Sequence, residues 1–204
     1  LTVFLSGTSG SPFHVSLDDS STSLFANQQI GATPTTSSIS DWGHYAVTFR
    51  SASAGIETKL YVNGALDSTN TLGSVGADTL DQKGTLGYIA SGSTGYLSAS
   101  IDEFRFWKAE RDAFQIGTNY FTQVRGGSNS DVSNATLGVY YKFNKSTTGI
   151  SSTDQIVLDY AGRLTNGTWN GTVSRTLESA IVESNAAATE FKDPIIYKDH
   201  PSVD

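Results

Sequence analysis

The sequence contains no cysteine and no methionine, only four prolines, and few charged residues for its length. Without cysteine, neither a disulfide framework nor a thiolate metal site can form. Charged residues make up 16% of the chain, whereas serine, threonine, glycine and asparagine are abundant. This balance favours short strands with polar turns over helices. No stretch is apolar for long enough to span a bilayer, so we expect no membrane insertion in this segment.

A basic surface is also missing from the sequence. The formal net charge is −7 and the arginines are scattered singly, so we expect no nucleic-acid binding, which requires a basic face. Acidic, polar β domains without cysteine are common on cell surfaces and in virions. The expected location is therefore extracellular, on a cell surface or on a virion surface. The chain starts at Leu1 inside an expected strand, which predicts a fragment of a longer polypeptide.

Apolar and polar residues alternate in many short stretches that are separated by turn-forming residues. The expected strands cover residues 1–5, 13–17, 23–26, 42–49, 59–62, 65–69, 85–89, 137–143 and 156–158. Asn63 and Gly64 predict a tight hairpin turn between two of them, because both residues tolerate positive φ. His14 is expected on the polar face of its strand, and His44 half-buried within a strand. Turn signals about every ten residues predict an all-β antiparallel sandwich, or jelly roll.

One helical stretch follows residue 107. It is expected to begin near Ala109, to run for roughly three turns and to be weakened by Gly117. The side chains expected to dock it on the sandwich are Phe114, Tyr120, Phe121 and Val124. The predicted fold is therefore an all-β sandwich with one short helix after its last core strand.

Residues 95–107 have the clearest strand pattern, with two acidic residues inside it. The sequence GYLSASIDEFRFW alternates apolar and polar residues after an opening glycine, which predicts one long strand with one buried face. Asp102 and Glu103 are adjacent, so in a strand their side chains point to opposite faces. These acids could be catalytic, could bind a metal or could hold neighbouring loops.

Three segments of the chain resemble the laminin-G-like branch of the concanavalin A-like lectin/glucanase superfamily. Residues 42–48 (WGHYAVT) are similar to the W-x-H-x-A-V-T strand of the family, and residues 59–64 (KLYVNG) to its L-Y-V-N-G hairpin. Residues 95–107 are similar to its G-x-I-D-E-v-R-i-w strand, and a short helix follows as in many members. The resemblance implies a concanavalin A-like jelly roll.

The segment 137–171 resembles the way such domains begin, although it follows the strand that normally ends one. Two interpretations stay open: the segment completes the first sandwich, or it begins a second repeat. We predict a laminin-G-like sandwich over residues 1–175, with residues 137–175 subject to these two interpretations. Residues 176–204 are predicted to be a linker or an extended tail.

The spacing of the acidic residues in this strand argues for or against glycosidase activity. Retaining glycosidases place two carboxylates about 5 Å apart, and the superfamily's hydrolases carry them at alternate positions of one strand. The alternate positions around Asp102 hold Ser100 and Phe104, so a second carboxylate is missing. We expect no enzyme, and Glu103 is expected to reach solvent or an arginine such as Arg105.

The resemblance also implies one structural calcium ion, since laminin-G-like domains often hold one with oxygen ligands from loops and a strand aspartate. Hard cations need several carboxylate and carbonyl oxygens. Asp102 is the first candidate metal ligand, and Asp159 is the second if residues 137–171 join the same sandwich. The alternative is that both are solvated turn aspartates. No other cofactor is expected.

Glycan recognition would use exposed aromatic side chains that stack on sugar rings, although aromatic residues in strands are more often core. The candidate ligand-binding residues are Tyr88, Tyr96, Trp107 and Asn63, with Trp169 also available. We predict a non-catalytic recognition or adhesion module of a larger surface-exposed protein, with a glycan or a surface protein as partner. The first alternative is an architectural module of a virion fibre, capsid decoration or extracellular filament, whose partners are other subunits of its assembly. The last alternative is a glycoside hydrolase.

Overall fold

The structure is a computed structural model that describes residues 2–7, 10–19, 22–73, 86, 88–89, 95–124, 136–143, 156–161 and 166–168. Contacts divide the chain into two units. The first unit comprises Leu1–Ala99 and Glu110–Tyr120, and the second comprises Ser100–Ala109 and Phe121–Asp204. Each unit has strands and a buried apolar cluster of its own.

The first sheet of the first unit has three antiparallel strands in the order β1-β2-β3. They are β1 (Thr2–Leu5), β2 (Phe13–Asp19) and β3 (Thr22–Gln29). Phe13 and Val15 of the central strand are buried, and His14 between them is only 4% exposed. The His14 ring stacks on Phe4 with ring centroids 5.6 Å apart. The prediction that His14 lies on a polar face is therefore wrong, because an aromatic ring of the neighbouring strand covers it.

The second sheet of the first unit is also antiparallel, in the order β4-β5-β6. Its strands are β4 (Tyr45–Ala52), β5 (Gly55–Val62) and β6 (Ala65–Leu72). The strand predicted from residue 42 starts at Tyr45, so Trp42 and His44 precede it. Asn63 and Gly64 have φ angles of 49° and 82° and join β5 to β6, with Val62 opposite Ala65. The predicted hairpin turn is confirmed, since these angles are typical of a type I′ turn.

The two sheets of the first unit enclose one apolar core. Its buried members are Phe13, Val15, Phe25, Ile30, Ile56, Leu60 and Leu72. Because these side chains come from both sheets, the sheets pack face to face as a sandwich. Leu60 in the central strand β5 is completely buried, and burying a side chain of this size stabilises the fold by roughly 1.5–3 kcal/mol. The predicted all-β antiparallel sandwich is confirmed.

The described part of the first unit also contains a short strand pair and a helix. The strands are β7 (Tyr88–Ile89) and β8 (Gly95–Tyr96), and the helix is α1 (Ala113–Asn119). The helix starts later than predicted because Asp112 caps it, accepting the Gln115 backbone N–H at 2.7 Å. Phe114 is 78% exposed whereas Ile116 is buried. The prediction that Phe114 docks the helix is therefore wrong.

The second unit is built around the strand pair β9 (Phe104–Trp107) and β10 (Leu137–Tyr141). A second antiparallel pair joins β11 (Ile156–Val157) to β12 (Gly167–Thr168). The buried cluster of this unit contains Leu137, Tyr140 and Ala161, with Trp107 and Val124 packed against it. The domain boundaries 1–175 and 176–204 stay predictions, and residues 176–204 lie outside the described residues.

Residues 95–107 do not form the single long strand that was predicted. Only Gly95–Tyr96 and Phe104–Trp107 are strands, and residues 97–103 between them are not. Glu103 adopts a φ of 54°, a left-handed conformation that is uncommon for a residue with a side chain and that interrupts a strand. Asp102 and Glu103 therefore do not occupy opposite faces of one strand.

Candidate ligand-binding rim

The hairpin turn between β5 and β6 is held against the residues that precede β4. The backbone N–H of Asn63 donates to the carbonyl of His44 at 2.8 Å. The backbone N–H of His44 donates to the side-chain oxygen Oδ1 of Asn63 at 2.9 Å. These two hydrogen bonds hold the segment that leads into β4 against the turn. Asn63 takes part in both of them.

Tyr120, just after helix α1, packs against Gly64 of this turn. A β-carbon placed on Gly64 would overlap the Tyr120 ring, and one placed on Gly117 would come 3.3 Å from the Gly64 carbonyl oxygen. The Tyr120 ring also contacts the His44 ring, with centroids 5.7 Å apart. The turn therefore needs glycine at position 64 for two reasons, its positive φ and the close approach of an aromatic ring.

The loop after β3 is tied to strand β6 by the side chains of Asp67 and Ser68. Asp67 accepts the backbone N–H of Ala32 at 2.6 Å and that of Thr33 at 3.0 Å, and it also accepts the Thr33 hydroxyl. The next residue, Ser68, accepts the Gly31 backbone N–H at 2.9 Å. This loop is therefore preorganised beside the start of β6.

Trp42 is the large aromatic side chain of this region that remains accessible, with 53% of its surface exposed. It lies two residues before His44, and the exposed Asp41 precedes it. Burial raises the pKa of the nearby Tyr45 hydroxyl above its ordinary value, and the Asp41 carboxylate raises that pKa further. We call residues 31–33, 41–44, 63–64, Asp67 and Tyr120 the Asn63 rim.

Sequence reasoning did not select Trp42 as a candidate ligand-binding residue. The alternation around it predicted a strand residue, and aromatic residues in strands are usually core. A signal was available in the sequence, since Trp42 lies between Asp41 and Gly43 after a run rich in serine and threonine. Such a composition is typical of a loop, where an aromatic side chain has no sheet face to pack on.

A ring of four charges anchors the segment that leads into helix α1. Arg50 contacts Glu57 at 2.7 Å and Glu110 at 3.7 Å, and Lys59 contacts the same two carboxylates at 2.9 and 3.5 Å. The hydrogen bond from Lys59 holds the pKa of Glu57 below its ordinary value, and the same bond raises the pKa of Lys59. The ring links β4 and β5 to residue 110, ten residues before Tyr120.

A second polar cluster lies inside the second unit. The Glu103 side chain is 6% exposed and that of Arg105 is 10% exposed, and the two are paired at 3.2 Å. The Tyr140 hydroxyl donates to the Glu103 carboxylate, and Arg105 donates to the Thr122 carbonyl. Burial raises the pKa of Tyr140 far above its ordinary value, and the bond to Glu103 raises it further. Glu103 was predicted to reach either solvent or an arginine such as Arg105. In the structure it is buried and pairs with Arg105.

The two candidate metal ligands both lie in the second unit. Asp102 is half-buried. Asp159 uses Oδ1 to accept the backbone N–H groups of Tyr140 and Ala161, each at 2.9 Å. This bonding is typical of a turn aspartate. Among the residues that the structure describes, no group of three acidic or histidine side chains is placed to hold a metal ion, and the calcium ion stays a prediction.

Of the four candidate ligand-binding residues, Tyr88, Tyr96 and Asn63 belong to the first unit and Trp107 belongs to the second. Tyr88 and Tyr96 are register partners in the β7–β8 pair. Trp107 is half-buried against the core of the second unit, so it serves packing there. Asn63 is exposed and forms part of the Asn63 rim. Trp169 lies outside the described residues.

A comparison with protein families gives one match, to the concanavalin A-like lectin/glucanase superfamily. The matching laminin G family model covers residues 2–117, more than half of the chain. The chain belongs to this superfamily. No curated protein and no solved structure matches it.

Membership of the superfamily suggests a lectin-like binding module. Laminin-G-like domains are usually non-catalytic and are typically extracellular. Within the described ranges, none of the helices has the length and apolar character needed to cross a membrane. The matched region contains the whole sandwich of the first unit and most of the Asn63 rim.

Proposed function

We propose that the chain is a non-catalytic recognition module and that the Asn63 rim binds a saccharide. The observation that carries this proposal is Trp42, which is 53% exposed. It lies two residues before His44, whose backbone C=O and N–H bond to the backbone and the side chain of Asn63 in the turn. An exposed indole offers a flat apolar face on which the C–H face of a sugar ring can pack. Trp42 is the proposed stacking platform.

Polar groups of the Asn63 rim support a ligand that carries hydroxyls. The Oδ1 atom of Asn63 accepts the His44 N–H, which leaves the two N–H donors of Nδ2 for a ligand. Asp41, the exposed residue that directly precedes Trp42, adds carboxylate acceptors. Because the turn and the loop at residues 31–33 are already fixed by hydrogen bonds, binding would cost little ordering entropy.

The bonding of the acidic residues supports recognition without catalysis. A retaining glycosidase needs two carboxylates about 5 Å apart across the bond that is cleaved. In the described structure, Glu103 bonds to Arg105 and Tyr140, and Asp67 bonds to the loop after β3. Hydrolysis of a bound glycan that disappears in Asp102→Asn would restore the glycoside hydrolase alternative.

We place this module in a larger extracellular, surface-exposed protein whose partner is a glycan. The family is typically extracellular, and the acidic, cysteine-free composition agrees with that location. The architectural alternative depended on the residues after 188, which lie outside the described part of the chain. The exposed Trp42 of the Asn63 rim is the observation that favours recognition.

A glycan array tests the proposal directly. We expect the 204-residue chain to bind a subset of glycans, Trp42→Ala to abolish that binding, and Trp42→Phe to retain part of it because an aromatic face remains. Affinity for the best glycan is then measured by calorimetry for each variant.

The matched control is Phe106→Ala, which removes an aromatic side chain of nearly equal exposure, 55%, from the second unit. This variant should bind like the unchanged chain. Equal binding by Trp42→Ala and the unchanged chain, or no binding to any glycan by the folded protein, would contradict the proposal.

A further inference from the structure

The turn of the Asn63 rim contains a chemically labile dipeptide. Asn-Gly occurs three times in the chain, at residues 63–64, 166–167 and 170–171. In such a pair the backbone nitrogen of glycine can attack Cγ of asparagine, because glycine has no β-carbon to obstruct the approach. A new N–Cγ bond closes a succinimide ring, the Cγ–Nδ2 bond breaks, and the glycine amide proton leaves with ammonia. Water then opens the ring to aspartate or isoaspartate.

The native geometry at Asn63 opposes this reaction. Both residues of the turn have positive φ, 49° and 82°, as in a type I′ turn. The side-chain Oδ1 and the backbone N–H of Asn63 are both bonded to His44. Ring closure needs the side chain to rotate and the following peptide to turn, so these hydrogen bonds must first break.

Residues 110–120 hold the glycine half of the dipeptide. The Tyr120 ring and Gly117 both lie against Gly64, so the Gly64 peptide has little room to rotate while they are in place. Two features keep the segment there: Ile116 is buried, and Glu110 at its start pairs with Arg50 and Lys59.

We propose that Asn63 is a latent deamidation site and that Tyr120 controls its conversion. With Tyr120 packed on the turn, Asn63 keeps its amide. When residues 110–120 release the turn, the succinimide forms and the rim gains a carboxylate in place of an amide. This inference concerns the turn alone and does not depend on saccharide binding.

The rate of conversion at each Asn-Gly site tests the proposal. The full 204-residue chain is incubated at mildly alkaline pH, digested and analysed by mass spectrometry, which detects the replacement of NH₂ by OH in each peptide. We expect Asn63 in the folded chain to convert at least ~tenfold more slowly than in the same chain unfolded in urea, since reaction requires local opening. Asn166 and Asn170 in the same digest report conversion elsewhere in the chain.

Three variants separate release of the turn from general instability. Tyr120→Ala should raise the Asn63 rate by about tenfold, whereas Tyr120→Phe keeps the ring and should leave the rate unchanged. Val15→Ala weakens the core of the first unit without touching the turn. For each degree by which the thermal midpoint falls, it should raise the Asn63 rate less than Tyr120→Ala does.

Equal Asn63 rates in the folded and urea-unfolded chains would overturn the proposal, as would a folded Tyr120→Ala variant with an unchanged rate. If Tyr120→Ala does not fold, Glu110→Gln replaces it. That variant loosens the other end of the same segment and should give a smaller rise at Asn63. An unchanged rate in that variant also overturns the proposal.

Discussion

At the scale of single residues, the molecule uses polar side chains mainly to hold backbone. Asn63, Asp67 and Asp159 each accept backbone N–H groups from residues that lie elsewhere in the sequence. Asn63 and Asp67 thereby order segments that lie outside the strands, and Asp159 joins its turn to strand β10. Asp159, which the sequence suggested as a metal ligand, therefore holds the backbone of Tyr140 and Ala161.

Tyr140 gives the first prediction at this scale. Tyr140→Phe removes the hydroxyl that donates to buried Glu103 but keeps the ring that packs near Arg105 and Lys142. The variant should lower the free energy of unfolding by roughly 1–3 kcal/mol, because an acceptor in the interior loses its donor. Denaturation in urea, followed by circular dichroism, measures the change; an effect near zero would show that Arg105 alone satisfies Glu103.

The same residue predicts a dependence on alkaline pH. Burial and the Glu103 bond raise the pKa of Tyr140 above its ordinary value of 10.0, so folding favours the neutral phenol. The stabilisation is complete below pH 10 and is lost as the pH rises above it, because the unfolded chain ionises first. The thermal midpoint of the unchanged chain should therefore fall more steeply above that pH than the midpoint of Tyr140→Phe. Parallel curves would contradict this prediction.

At the scale of elements, local sequence determines some boundaries and contacts determine others. The β5–β6 hairpin needs only Asn63 and Gly64, and helix α1 begins where Asp112 can cap it. The position of α1 on the sheet instead depends on side chains from three segments, because Glu110 meets Arg50 and Lys59 there. Arg50 of β4 and Lys59 of β5 thus pair with a carboxylate from the segment that leads into α1.

The ring of charges predicts a dependence on acidic pH. The pKa of Glu57 lies below its ordinary value of 4.5, chiefly because Lys59 donates to it. The contribution of Glu57 is therefore present above pH 4.5 and is lost as the pH falls through its lowered pKa. Thermal midpoints recorded from neutral to acidic pH should fall for the unchanged chain, and less for Lys59→Gln. Added salt should reduce the difference, since the pairs are partly exposed.

At the scale of the whole molecule, stability resides in separate buried clusters of two units. The cluster of the first unit draws on both sheets of the sandwich, and the cluster of the second surrounds Leu137 and Tyr140. Apolar area removed from water stabilises each cluster. Substitutions in the first cluster should therefore affect the sandwich on which the Asn63 rim stands.

Leu60 and Leu66 provide a matched pair for testing the sandwich core. Leu60 is completely buried in β5, whereas Leu66 in β6 is 51% exposed. Leu60→Ala should lower the free energy of unfolding by about 2–5 kcal/mol, through lost burial and the cavity left behind. Leu66→Ala should change it by less than about 0.5 kcal/mol. Urea denaturation of both variants checks this, and equal effects would show that the core does not lie where the structure places it.

The sequence by itself determined the features that depend on neighbours along the chain. Alternation of apolar and polar residues predicted the antiparallel strands, Asn-Gly predicted the hairpin turn, and three ordered segments predicted the superfamily that the family comparison identifies. Period-two patterns and turn preferences are local, since they follow from the backbone angles that each residue adopts.

Only the tertiary structure decided which side chains are covered and which acids meet a partner. His14 is buried because Phe4 of another strand stacks on it, Glu103 breaks a strand in a left-handed conformation where it meets Arg105 and Tyr140, and Trp42 stays exposed before β4 begins. Burial and ion pairing depend on residues far apart in sequence that folding brings together. Local sequence patterns do not predict those contacts, so the sequence alone does not identify the Asn63 rim.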